Sequence, residues 1–480
     1  MMDYEIVVGL EVHAELNTNS KIYCSCNNEF GLEVNSQCCP ICMGMPGTLP
    51  TLNEQVVESA IRMGHALNCS INRICKQDRK NYFYPDLPKA YQISQFDIPL
   101  CENGYVDILV DGIEKRIGVT RIHIEEDAGK LLHSDTFDGS LVDFNRCGVP
   151  LIEIVSEPDI RSSTEAKAYL EAIKSILQYI DISDCKMQEG SIRCDVNVSV
   201  MKKGSNEFGT RVEMKNINSF SGAVHAIDYE ANRQMEVLEN GGVITQETRR
   251  WDDTAGKNVL LRSKEDAHDY RYFPEPDLLT IVLEEDYVNG LKQSIPELPN
   301  KKIMRFVKEL GLLQADATSI VENIDKCRIF EDTLKAGNCS AKAVSNWVLG
   351  DISKIMNETN QPIEHTTKLT ATKLAELIQT IESGKISNAA GKKVFEVILK
   401  EDKQVADIIK ELGLEQISDQ NALEQVVNTV MESNTKSIED YKNGKTNALG
   451  FLTGQCMKAT KGQGNPAKLK ELILNYIQTH

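Results

Sequence analysis

The chain has 480 residues, 41% hydrophobic and 26% charged, a balance that excludes a disordered protein and, at this length, fits roughly two to four domains. No apolar run reaches transmembrane length, the start Met1-Met2-Asp3-Tyr4-Glu5 lacks a signal peptide's basic region, and fourteen cysteines without an export signal point to reduced thiols in the cytoplasm. A net charge of −18 excludes indiscriminate nucleic-acid binding while leaving room for a local basic patch.

The first predicted element is a strand over Val7-Val8-Gly9-Leu10-Glu11-Val12-His13-Ala14-Glu15. Alternate side chains share a face, so Glu11, His13 and Glu15 point one way while Leu10, Val12 and Ala14 can enter a core. Two carboxylates and an imidazole on one face suit a divalent cation; the plain alternative is a solvated edge strand.

Next come Cys24-Ser25-Cys26 and Cys38-Cys39-Pro40-Ile41-Cys42. Two closely spaced pairs match a zinc knuckle over 24–42, with Cys24, Cys26, Cys39 and Cys42 as the four thiolates and Cys38 spare. Four cysteine ligands make the site closed and structural, which argues against a zinc hydrolase.

Asn53 starts an amphipathic helix, and Asp78 to Gln92 then crowds aromatics, cations and prolines into a stretch unsuited to a helix or a core strand. It reads as a functional loop in which Arg79, Lys80 and Lys89 are candidates for holding phosphates and the tyrosines for stacking on a base. The plain alternative is a packed structural loop.

Short strands are predicted from Gly104 to Val155, one of them ending in Glu125-Glu126-Asp127. Pro150-Leu151-Ile152-Glu153-Ile154-Val155 places a single carboxylate in an apolar strand, where it needs a cation or a hydrogen-bond network. Glu11, His13, Glu153 and either Glu125 or Glu126 are therefore expected to converge on one ion.

Ser162-Ser163-Thr164-Glu165 is a capping box opening a helix with the apolar stripe Tyr169, Leu170, Ile173, Ile176, Leu177 and Ile180. The strands Ser191–Val200 and Arg211–Asn216 alternate apolar residues with Arg, Asp, Asn, Glu and Lys, a polar face that suits a lined cleft. A linker near Ser294–Pro299 precedes a helical region, with a second break at Leu412-Gly413-Leu414. The last 45 residues carry seven lysines against three acids, so Lys442, Lys445, Lys458 and Lys461 are candidates for contact with a polyanion.

Several stretches together are distinctive. Gly9-Leu10-Glu11-Val12-His13, Asp78-Arg79-Lys80-Asn81-Tyr82-Phe83-Tyr84-Pro85-Asp86, His123-Ile124-Glu125-Glu126-Asp127-Ala128-Gly129-Lys130, Ile152-Glu153-Ile154-Val155-Ser156-Glu157-Pro158-Asp159 and Asp440-Tyr441-Lys442-Asn443-Gly444-Lys445 closely resemble the B subunit of the bacterial aspartyl/glutamyl-tRNA amidotransferase. The resemblance runs along essentially the whole chain. It implies an α+β fold: a cradle-like, mainly antiparallel catalytic domain over 1–294, an all-α helical domain over 295–411 and a small helical YqeY-like tail over 412–480.

The resemblance further implies a heterotrimer completed by an amidase and a small third subunit. ATP phosphorylates the side-chain carboxylate of Glu-tRNA(Gln) or Asp-tRNA(Asn), and ammonia supplied by the amidase converts it to the amide. Magnesium is implied on Glu11, His13, Glu126 and Glu153, and tRNA on the lysine-rich tail. Strand parity alone does not choose between Glu125 and Glu126, because Glu126 shares parity with Ile122 and Ile124. A non-catalytic tRNA-binding scaffold is the rival reading; it has no need of Glu11, His13 and Glu153.

Overall fold

The computed structural model describes residues 4–133, 138–263, 269–415, 420–460 and 463–479. These form two compact units that divide between Lys302 and Ile303.

The first unit is built on a nine-stranded sheet. Its strands are β1 (Tyr4–Glu15), β2 (Ser70–Ile71), β3 (Cys101–Val110), β4 (Ile113–Glu126), β5 (Pro150–Ser156), β6 (Ile192–Lys202), β7 (Val212–Ile217), β8 (Glu247–Asp252) and β9 (Lys257–Ser263). They lie in the order β9-β8-β7-β6-β1-β5-β4-β3-β2. Among the described residues every pairing in this sheet is antiparallel except β7 with β8. The N-terminal strand is therefore central, hydrogen-bonded along both edges to segments more than a hundred residues away.

Its alternation decides the two faces. Leu10, Val12 and Ala14 are fully buried and share their face with Ile152, Ile154, Cys194 and Val196. Helices α1 (Glu54–Ala66), α2 (Ser163–Tyr179) and α3 (Phe220–Glu239) contribute to the same apolar core. Burying each such Leu, Val or Ile contributes about 1.5–3 kcal/mol, so a one-residue slip that turned this set to solvent is strongly disfavoured.

Helix starts follow the expected chemistry. The Asn53 side chain accepts from Gln55 N, and the Ser162 hydroxyl accepts from Glu165 N. The other half of the predicted capping box forms one residue early: Glu165 accepts from Arg161 N at 2.6 Å and also from Lys115 Nζ at 2.7 Å. The stripe from Tyr169 to Ile180 is core.

A three-stranded ribbon of Phe273–Pro274, Asp78–Asn81 and Tyr91–Ser94 carries the aromatic and basic stretch.

The second unit is helical. Gln420–Glu432, Asn447–Ala459 and Pro466–Thr479 enclose their own apolar cluster of Leu423, Val427, Met431, Leu452, Cys456, Leu469 and Ile473. An α+β unit followed by helices is the fold class read from the sequence. Among the described residues no helix is long and apolar enough to cross a membrane.

Candidate active site

The face of the sheet opposite the apolar core holds the polar residues of β1. Register places His13 beside Glu153 of β5, and Glu153 beside His123 of β4. One strand step on, Glu15 pairs with Leu151 and Leu151 with Glu125. Same-face neighbours across strands sit about 4.5–5.5 Å apart, so this register alone gathers two imidazoles and two carboxylates.

His13 Nε2 lies 3.5 Å from Glu153 Oε2 and 3.7 Å from Glu125 Oε1. His123 Nε2 lies 3.2 Å from Glu153 and 3.5 Å from Glu125. Ser94 Oγ donates to Glu125 at 3.1 Å. Burial opposes ionisation of all four groups, yet mutual attraction prevails. Against that burial the carboxylates of Glu153 and Glu125 push His123 up to about 9, and the imidazoles hold Glu153 well below the usual carboxylate range.

One donor atom each from His13, Glu125 and Glu153 lie within 4.8 Å of one another. Donors about 2.1–2.4 Å from a shared ion have this spacing, so the three residues fit a divalent cation.

The set differs from the expected one at two carboxylates: Glu125 takes the place of Glu126, and Glu11 is not among the three converging donors. β4 is regular from Arg121 through Glu126, beyond a bulge at Thr120, so Glu125 and Glu126 point to opposite faces. Glu126 is buried on the apolar side, where both its oxygens accept from Lys89 Nζ and Oε1 also accepts from Ile93 N at 2.8 Å. It is not brought to the cluster; Glu125 is.

Glu11 lies one strand step beyond His13 and accepts from Asn197 Nδ2 at 3.0 Å. Burial, with Glu153 and Asp195 nearby, raises its pKa.

The three cations of the aromatic ribbon separate. Arg79 forms a two-pronged bond to Glu275 at 2.6 and 2.8 Å and packs 4.3 Å over the Tyr91 ring, which makes it structural. Lys89 belongs to Glu126. Lys80 lies 5.1 Å over the Tyr270 ring; burial opposes its charge, yet the surrounding groups, Glu125 foremost, raise its pKa.

Sequence reasoning missed His123. Its parity with Glu125, between the apolar Ile122 and Ile124, was the available signal.

Along the same face a 240 Å³ cavity is lined by Gly9, Glu11, Asn197, Phe208, Gly209 and Arg211. No atom lies within 4 Å of where a Cβ would stand on Gly9, so the strand leaves open space there.

The cysteine loop forms a second centre. The Sγ atoms of Cys24, Cys26, Cys39 and Cys42 converge within 4.8 Å, all four as free thiols, while Cys38 turns its thiol to Asn35 O at 3.2 Å. Lys21 is fully buried, and its ammonium lies 2.6 Å from Gln37 O and 3.9 Å from Cys42 Sγ. A buried ammonium needs a counter-anion, which fits thiolates on a metal better than four neutral thiols.

In the tail, Lys442, Lys445 and Lys458 are exposed, Lys445 pairing with Asp440 at 2.9 Å; Lys461 lies outside the described residues.

Comparison with known proteins shows the chain's family. A family described as the GatB/GatE catalytic domain matches residues 6–289, and one described as the GatB domain matches residues 328–477. The chain is 57% identical over 479 residues to the aspartyl/glutamyl-tRNA(Asn/Gln) amidotransferase B subunit of Caldicellulosiruptor bescii, covering 99% of this chain and 100% of that one. The B subunits of the same name from Thermoanaerobacter pseudethanolicus and Clostridium botulinum are 54% and 53% identical, each aligned over 98% of this chain and over 99% and 98% of their own lengths respectively. The chain belongs to the family of aspartyl/glutamyl-tRNA(Asn/Gln) amidotransferase B subunits.

Proposed function

We propose that this chain is the activating and amidating subunit of a glutamine-dependent tRNA amidotransferase, working in the cytoplasm within a heterotrimer that an amidase and a small third subunit complete. Its substrates are Glu-tRNA(Gln), Asp-tRNA(Asn) or both. The observation that carries this reading is the convergence of His13, Glu125 and Glu153 beside a cavity of nucleoside size. A scaffold has no use for a buried cluster whose charges must be held against desolvation.

His13, Glu125 and Glu153 hold magnesium in this reading, with Glu11 at the rim. The ion supplies neutralisation of phosphate charge where two anions must meet. Phe208 packs on the adenine of ATP, and Arg211 holds its phosphates in the cavity that opens at Gly9. Lys80 faces the acceptor carboxylate and restrains it.

The substrate carboxylate oxygen attacks the γ-phosphorus and ADP leaves. Ammonia then attacks the acyl carbon, phosphate departs with the bonding pair, and a proton lost from nitrogen completes the amide. Cys24, Cys26, Cys39 and Cys42 hold a structural zinc that stiffens the loop beside the sheet. The exposed lysines Lys442, Lys445 and Lys458, with Lys461, contact tRNA phosphates.

The test is amidation of Glu-tRNA(Gln) by the reconstituted trimer carrying Glu11→Ala or Glu153→Gln. Amidation is expected to fall by more than about 100-fold in Glu153→Gln while tRNA binding persists. Wild-type amidation by that variant would remove the metal from the mechanism.

A further inference from the structure

Lys21 is fully buried, yet among the described residues no carboxylate pairs with its ammonium. The buried Lys373 does have such a partner, Asp402 at 2.6 Å. An ammonium taken out of water without a counter-ion is costly, so its surroundings must supply negative charge in another form.

What the ammonium reaches is the cysteine centre. Lys21 Nζ donates to Gln37 O at 2.6 Å, just before the second cysteine pair, and stands 3.9 Å from Cys42 Sγ. The same sulfur accepts from Cys39 N at 3.1 Å, so two N–H donors point at Cys42 Sγ.

The backbone fixes Lys21 in this position. Its N–H donates to Cys26 O at 3.1 Å, and Ile22 N donates to Gly148 O at 2.9 Å. Gln37 N in turn donates to Asn145 Oδ1 at 2.8 Å. The Gln37 residue is thus held at its carbonyl by the ammonium and at its N–H by Asn145, in the segment that leads into β5.

Charge gives the lysine a task. Four thiolates around one divalent ion leave two uncompensated negative charges, and an ammonium against Cys42 offsets one of them. Without the metal, the anion that the ammonium answers is not assembled.

We propose that Lys21 is a positioning residue of the four-cysteine centre: its ammonium orients the Cys42 thiolate and the Gln37 carbonyl and offsets charge on the metal-loaded cluster. The inference rests on the zinc site proposed above and on no other part of that function. A lysine that merely packs is missed with or without metal. A lysine that serves the metal gives opposite signs, because Lys21→Met keeps the apolar stem and removes a buried charge.

The full chain is stripped of metal, and zinc binding is measured by competition with the chelator pyridylazoresorcinol. Lys21→Met is expected to bind zinc at least about 10-fold more weakly than the wild type. Its metal-free form is expected to melt at or above the temperature of the metal-free wild type. With cobalt(II) in place of zinc, the sulfur-to-metal charge-transfer band moves to longer wavelength in Lys21→Met, because a sulfur relieved of a positive neighbour gives up its electron more readily.

Equal zinc affinity, an unshifted band, or a metal-free Lys21→Met less stable than the metal-free wild type overturns the assignment of Lys21 while the zinc site stands. A wild type that takes up no zinc overturns both. Amidation of Glu-tRNA(Gln) by the same wild-type chain in the assembled enzyme then shows whether the proposed function survives that loss.

Discussion

His13 and Glu153 face one another across the two central strands, imidazole Nε2 3.5 Å from carboxylate Oε2. Glu153 also lies 3.2 Å from His123 and 3.8 Å from Arg121. The lone carboxylate of an apolar strand is thus answered by three basic groups from the strands on either side. The pairing depends on a register fixed by the opposite, apolar face: the burial of Leu10, Val12, Ile152 and Ile154 sets the distance between His13 and Glu153.

On that apolar side, Lys89 and Glu126 form an ion pair with side chains only 8% and 3% exposed. Removing one partner leaves an uncompensated buried charge. Lys89→Met is expected to destabilise the chain by about 3–5 kcal/mol, and Lys89→Met with Glu126→Gln together by much less. Urea denaturation of the four proteins measures this, and additive losses would show that the pair is not coupled.

Much of this was legible in the sequence, for physical reasons. Alternation in β1 exposes Glu11, His13 and Glu15 as a set, and paired cysteines announce their own convergence. The choice between Glu125 and Glu126 was not legible, because it depends on whether β4 remains regular to its last residue. Nor were the roles of Arg79 and Lys89: their partners Glu275 and Glu126 lie 196 and 37 residues away, and nothing local pairs them. His123 was hidden among isoleucines, and its role appears only once β5 is laid beside β4.

Metal removal should act on the cysteine loop. The proposed site predicts one tightly held zinc per chain, lost on Cys42→Ser. In that variant, limited proteolysis should cut between residues 24 and 47 at least 10-fold faster while the large sheet keeps its circular dichroism. A metal-free wild type with an equally protected loop would contradict the assignment.

His65 on α1 lies 3.0 Å from Val288 O. Burial holds its pKa below the ordinary value, with the hydrogen bond to Val288 opposing. The folded chain therefore keeps His65 neutral where the unfolded chain takes up a proton. Its stabilising contribution is complete above about pH 6.5 and is lost as pH falls through the folded pKa. Denaturation midpoints should fall between pH 7.5 and 5.5, less steeply in His65→Gln, and identical slopes would refute the role.

Neutralising Lys442, Lys445 and Lys458 should weaken tRNA binding and flatten its dependence on salt, by roughly 0.7–0.9 in logarithmic slope for each phosphate no longer neutralised. Filter binding between 50 and ~200 mM salt reads this, and an unaltered slope would move the tRNA interface elsewhere.

The central claim is that the ion sits on His13, Glu125 and Glu153 and not on Glu126. Manganese(II) binding, followed by electron paramagnetic resonance on the Glu125→Gln and Glu126→Gln enzymes, tests it most directly. Glu125→Gln is expected to weaken the tight site by more than about 100-fold while Glu126→Gln retains it. Retention in Glu125→Gln with loss in Glu126→Gln would contradict it.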